Sequence, residues 1–168
     1  MKKYFALAAI GCLLTAISFA QPKSPPDSVR ATLKNGTTIF IKYSKPSLRG
    51  RTIGKDVEPM AGQVWRMGAN KATLFEVNKE VKIEGKTLPA GKYSLFGIQG
   101  EKDFTLIFNK DWDTWGIPYD PHKDHDALRV DVKPRAAKEP LETLAYTIDK
   151  DGKVTMQWGT LAVDFKVK

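Results

Sequence analysis

From residue 38 to residue 167, apolar side chains recur at every second position in short runs. A period of two is the pattern of a strand with one face buried. No ten-residue stretch after the first twenty residues offers a helix-like apolar face, so the chain is committed to sheets. The runs cover residues 38–43, 71–77, 81–83, 93–98, 104–108, 128–132, 141–148, 154–158 and 161–167, all rich in β-branched and aromatic residues. Turn chemistry separates them. Asn35-Gly36 can supply the positive φ values of a tight hairpin, Gly85, Gly91 and Gly100 break the middle runs, and Asp149-Lys150-Asp151-Gly152 joins two alternating segments. Roughly nine or ten short strands predict an all-β domain, a single antiparallel sandwich or flattened barrel over residues 29–168. The alternation of Val163-Asp164-Phe165-Lys166-Val167 predicts a sheet with one wet face.

The first twenty residues follow a different rule. Lys2 and Lys3 precede an uncharged apolar stretch from Tyr4 to Ile17, and Ser18 and Ala20 are the small residues of a signal peptidase site. The stretch is shorter than the ~20 apolar residues of a spanning helix. Residues 1–20 are therefore predicted to be a cleaved export signal, leaving a periplasmic or secreted protein with no membrane span. The alternative is a lipoprotein, because Ala9-Ile10-Gly11-Cys12 loosely resembles a lipid-attachment box; the apolar residues continuing past Cys12 speak against it. Residues 21–28 are polar and Pro/Ser-rich, which predicts an extended linker.

Cleavage removes Cys12, the only cysteine. The remainder can form no disulfide, thiol nucleophile or zinc–thiolate site. It also removes two lysines, so the net charge falls from +8 to +6. Basic residues alternate with acids, as in Lys79-Glu80 and Lys110-Asp111, with no basic run of the kind that tracks nucleic acid.

Several familiar sites fail on spacing. Gly85-Lys86-Thr87 resembles the end of a phosphate loop, but Glu80 stands where the leading glycine belongs. Gly97 falls one residue too late to make Ser94 a nucleophile elbow. Asp149-Lys150-Asp151-Gly152 lacks the other ligands of a calcium loop. The only histidines, His122 and His125, lie among Asp120, Asp124 and Asp126. That segment is a solvated loop or, alternatively, an acid–base or metal site built on Asp120, His122, Asp124 and His125.

Aromatic residues are more suggestive. Trp112, Trp115 and Tyr119 fall in one loop beside carboxylates and Asn109, the combination that stacks on a sugar and binds its hydroxyls. They can equally fold back to plug the sandwich. Val64-Trp65-Arg66-Met67-Gly68-Ala69-Asn70 brings an aromatic ring, a guanidinium and an amide together. Arg66 can grip a carboxylate or phosphate, or be held by buried carbonyls or an acid such as Asp131. Trp65, Arg66, Asn70, Trp112, Trp115, Tyr119 and Arg129 are the ligand-binding candidates.

These segments also carry a family resemblance. Tyr43-Ser44, Pro46-Ser47, Arg49-Gly50-Arg51 and Val64-Trp65-Arg66 with Gly68-Ala69-Asn70 open the pattern. Gly85-Lys86, Leu88-Pro89-Ala90-Gly91, Tyr93-Ser94-Leu95-Phe96, Ile107-Phe108-Asn109-Lys110, Trp115-Gly116 and Leu128-Arg129-Val130 continue it. Over about residues 37–168 the chain resembles the bacterial family named domain of unknown function 2911. It departs mildly at Ile98-Gln99-Gly100, where the family more often has a proline, and at Phe104, where a tryptophan is usual. The resemblance implies an exported β-rich protein of Gram-negative bacteria and supplies no catalytic residues or cofactor.

The expectation is thus a non-catalytic binding or accessory module for a small polar ligand or glycan, with no cofactor. A hydrolase or lyase using the 120–126 loop is the first alternative. A structural or interaction protein of the envelope, with no site where Arg66, Asn70 and the loop aromatics meet, is the second.

Overall fold

The computed structural model describes residues 24–168. The predicted signal and the start of the predicted linker lie outside them. Eleven strands form: β1 (Pro26–Thr32), β2 (Thr38–Ser44), β3 (Val64–Trp65), β4 (Thr73–Val77), β5 (Val81–Ile83), β6 (Lys86–Leu88), β7 (Gly91–Gln99), β8 (Phe104–Asn109), β9 (Asp126–Val132), β10 (Pro134–Ile148) and β11 (Lys153–Lys166). A single 3₁₀ turn, Asp120–His125, precedes β9. Among the described residues no helix is long and apolar enough to cross a membrane.

The main sheet is antiparallel, in the order β1-β2-β4-β7-β8-β9, with β3 also paired to β7. The ribbons β10-β11 and β5-β6 complete an all-β, sandwich-like fold; no barrel closes. β1 begins at Pro26, inside the predicted linker, and pairs Pro26, Asp27 and Ser28 with Ser44, Tyr43 and Lys42. Runs 154–158 and 161–167 are one strand, with Gly159 at φ 54° marking the break in pattern.

Alternation decides the core. Ile39, Ile41, Phe75, Leu95, Leu106, Phe108 and Val130 bury one face of the main sheet against Leu144, Tyr146, Met156, Trp158 and Phe165 of the long ribbon. At the centre Phe75 meets the Phe108 ring edge-on at 5.0 Å, and Phe165 lies 6.1 Å from Phe75. The expected wet face is wet only in part. Phe96 and Ile107 point to the other side and are fully buried, under Ala72, Ile117 and Tyr119. Leu95-Phe96 and Leu106-Ile107-Phe108 are thus consecutive apolar residues because both sides of the sheet are covered here.

The ribbon is less regular. In β10 the register shifts between Ala136 and Leu141 and again between Leu141 and Ala145. Arg135, Lys138, Glu139 and Pro140 are exposed. Arg135 still grips Asp164 across the ribbon, Nε to Oδ2 at 2.7 Å and Nη2 to Oδ1 at 3.2 Å. Burial alone would raise the Asp164 carboxyl, but Arg135, Thr155 and Lys153 outweigh it and hold it down at about 2.

Candidate functional site

Two irregular segments meet on the outer face of the main sheet. The first exists because β3 and β4 lie along the same flank of β7, Trp65 opposite Gly97 and Thr73 opposite Leu95. Residues 66–72 must bulge between them. Met67 and Asn70 take left-handed φ values of 55° and 61°, which few non-glycine residues adopt. The Met67 carbonyl holds the bulge, accepting from Thr73 Oγ1 at 3.0 Å and from Tyr146 Oη at 2.7 Å.

The second segment is the loop from Asn109 to Asp126. Asn109, buried at the end of β8, donates through Nδ2 to the His122 carbonyl (2.6 Å) and to Asp126 Oδ1 (2.8 Å). Ser94 Oγ donates to the Asp111 carbonyl at 2.6 Å, and the Ala72 amide donates to the Thr114 carbonyl at 3.2 Å. These bonds lay the loop flat over Phe96 and Ile107.

Not all the predicted site residues gather. Trp65 turns into the core, where its indole stacks on Trp158 at 6.0 Å and donates to the Gly68 carbonyl at 3.1 Å. Tyr119 is the ring that folds back, against Phe96 at 5.2 Å. Its hydroxyl donates to Asp126 Oδ2 at 2.5 Å and accepts from Arg129 Nη2 at 2.8 Å, while Arg129 Nε donates to Asp126 Oδ2 at 2.7 Å. Burial, then the Asp126 carboxylate, push the Tyr119 phenol up to about 12. Tyr119 and Arg129 form a closed lock on the loop.

Trp112 and Trp115 do not fold back; they are 41% and 57% exposed. The Lys92 ammonium sits 4.5 Å from the Trp112 ring centre, and the Arg66 guanidinium 5.6 Å from that of Trp115. Trp112 walls a cleft of about 280 Å³ with Asn70, Lys42, Lys71, Leu74 and Asp113. Lys71 Nζ and Asp113 Oδ1 are 2.7 Å apart, and that contact, reinforced by Lys42, lowers the Asp113 carboxyl. Asn70 also lines a second hollow, of about 270 Å³, with Arg66, Glu58 and Ile117. Arg66, Asn70 and Trp115 therefore meet. Arg66 Nη1 donates to the Asn70 carbonyl and to the Trp115 carbonyl, the latter at 3.2 Å. Asp131 is engaged elsewhere, by Thr105 Oγ1 at 2.6 Å.

The histidines do not assemble the predicted ligand set with Asp120 and Asp124. On a 3₁₀ turn residues three apart eclipse, and His122 and His125 both direct Nδ1 to Asp111, at 2.8 and 2.9 Å. The His122 bond, first, and then the His125 bond lower the Asp111 carboxyl against the effect of burial. His122 Nε2 lies 3.3 Å from Thr114 Oγ1. Among the described residues no three His, Cys, Asp or Glu side chains are arranged to hold a metal ion. Asp111 and Thr114 were missed as site residues. The strand period places Lys42 on the outer face, but nothing in the sequence says that it lines one cleft with Trp112.

The molecule is an all-β sandwich whose outer face carries a tethered, Trp-bearing loop. Residues 24–167 match the model of a family described as "Protein of unknown function (DUF2911)", and the chain belongs to that family. No curated protein and no solved structure matches it.

Proposed function

We propose that the domain is an exported, non-catalytic binding module for a small polar ligand or glycan, and that the ligand lies in the cleft beside Trp112. The observation that carries this is a large exposed indole fixed at the wall of a cleft that also offers an amide, a carboxylate and two ammonium groups. An aromatic face against a sugar ring with polar groups at its edge is the common solution to binding an amphipathic, hydroxyl-rich ligand. Lys2, Lys3, the apolar stretch and Ser18-Phe19-Ala20 support export to the periplasm or exterior.

The test is isothermal titration of a panel of oligosaccharides against wild type and Trp112→Ala. Loss of the stacking face is expected to weaken binding about tenfold, a cost of about 1.4 kcal/mol, while Trp112→Phe keeps most of it. If the alanine variant folds normally and binds every ligand as wild type does, the cleft is the wrong site.

A second reading, a hydrolase, is favoured by one observation. Asp111, His122 and Thr114 stand in series, with Nδ1 on the carboxylate and Nε2 beside the hydroxyl. That order lets an imidazole take a proton from a hydroxyl or from water beside it. Wild type, dialysed free of metal, is assayed on chromogenic esters and glycosides beside His122→Ala. Turnover that falls at least 100-fold in the variant supports hydrolysis; absent or unchanged turnover removes it.

A further inference from the structure

Arg66 has unused binding capacity. Its Nη1 donates to two neutral carbonyls, those of Asn70 and Trp115. Among the described residues no carboxylate lies within ion-pair distance of it, and no acceptor meets Nε or Nη2. The side chain is half-buried, and burial lowers its guanidinium pKa, opposed only by the charge of Glu58. A partly desolvated cation held by neutral groups alone is not fully compensated. The edge left free, Nε with Nη2, is the fork that matches a planar carboxylate with two parallel bonds.

The hollow beside Arg66 has room for such a group. Its volume of about 270 Å³ is several times the ~30 Å³ share of one water. Asn70, whose Nδ2 donates to the Ser24 carbonyl at 3.1 Å, borders both this hollow and the Trp112 cleft, so the two are adjacent. Glu58 in the same hollow disfavours a doubly charged phosphate more than a singly charged carboxylate, because like charges repel in proportion to their product. Near the cleft, Lys42 and Lys71 flank the single acid Asp113, which leaves the path to Arg66 positive.

We propose that the ligand is an acidic saccharide whose carboxylate docks on Nε and Nη2 of Arg66 while a neighbouring sugar ring stacks on Trp112. This rests on the binding reading above and narrows its ligand class.

The probes are trigalacturonate and its fully methyl-esterified form, which share rings and length and differ at the carboxyl groups, charged in one and capped by a methyl in the other. Both are titrated at low salt into wild type, Arg66→Gln and Trp112→Ala, with folding of each variant checked by circular dichroism. Wild type is expected to bind the acid at least tenfold more tightly than the ester. Arg66→Gln erases that preference, bringing the affinity for the acid down to that for the ester, whereas Trp112→Ala weakens both forms. Equal affinity of wild type for the two forms overturns the proposal, as does a preference that survives Arg66→Gln, or binding of neither form. Binding of both forms that depends on Trp112 but not on Arg66 removes the carboxylate and leaves the cleft standing. Should Arg66→Gln not fold, the acid-to-ester ratio of wild type and Arg66→Lys decides, the lysine keeping charge but losing the fork.

Discussion

Phe75→Ala is expected to lower the unfolding free energy by about 3–5 kcal/mol, the usual range for emptying a buried phenylalanine site. Phe75 is fully buried on β4, in the interior of the main sheet. Its ring touches both layers, Phe108 of the same sheet and Phe165 of the ribbon. Rings on both sides are themselves held by strand pairing and cannot collapse into the gap. Phe40→Ala is the control, since Phe40 lies on the outer face, half-buried beneath the Arg30 guanidinium at 4.3 Å. Its loss is expected to cost about 1 kcal/mol or less. Urea midpoints measure both, and equal losses would mean that the ring triangle is not the centre of stability.

Gly152→Ala is expected to destabilise by about 3 kcal/mol or more, through a different mechanism. Gly152 closes the β10–β11 hairpin at φ 82°, and its carbonyl accepts the Val167 amide at 2.8 Å. A Cβ there would stand 2.1 Å from the Val167 carbonyl oxygen. That atom belongs to the backbone, so no rotamer change relieves the contact; the C-terminal strand must move away. Gly36→Ala separates clash from strain. Gly36 has φ 77°, but its Cβ would meet only Lys79 Nζ, at 3.9 Å. It is expected to cost about 1–2 kcal/mol, the left-handed penalty alone. Thermal unfolding of the two variants reads the difference, and equal shifts would rule out the clash.

Much of this architecture is legible in the sequence because strand alternation is a local signal. The runs at 38–43, 93–98, 104–108 and 128–132 fall within or match β2, β7, β8 and β9. β1 was lost to composition: Pro25-Pro26-Asp27-Ser28 looks like a linker, and only pairing with β2 makes it a strand. Proline is tolerated there because β1 is at the edge of the sheet. The site was harder, because it depends on which distant segments meet. Arg66 beside Trp115 and Lys92 beside Trp112 are brought together by strand order and a bulge, neither of which has a local signature. The consecutive apolar residues Leu95-Phe96 and Leu106-Ile107 were the overlooked clue that something covers the outer face.

The exposed start of β10 has a consequence for self-association. Arg135, Ala136 and Leu141 pair on one side with β11, and among the described residues no strand takes the other side until Leu48 and Pro46 bond Glu142 and Leu144. An open strand edge is a template on which a second copy of a chain can add. Here the edge carries Arg135, Lys138 and Glu139, is interrupted by Pro140 with no amide hydrogen to donate, and is bent by two register shifts. Charge, a missing donor and curvature each block growth of the sheet from one molecule into the next. The irregularity of the ribbon thus works against addition of a second copy along this edge.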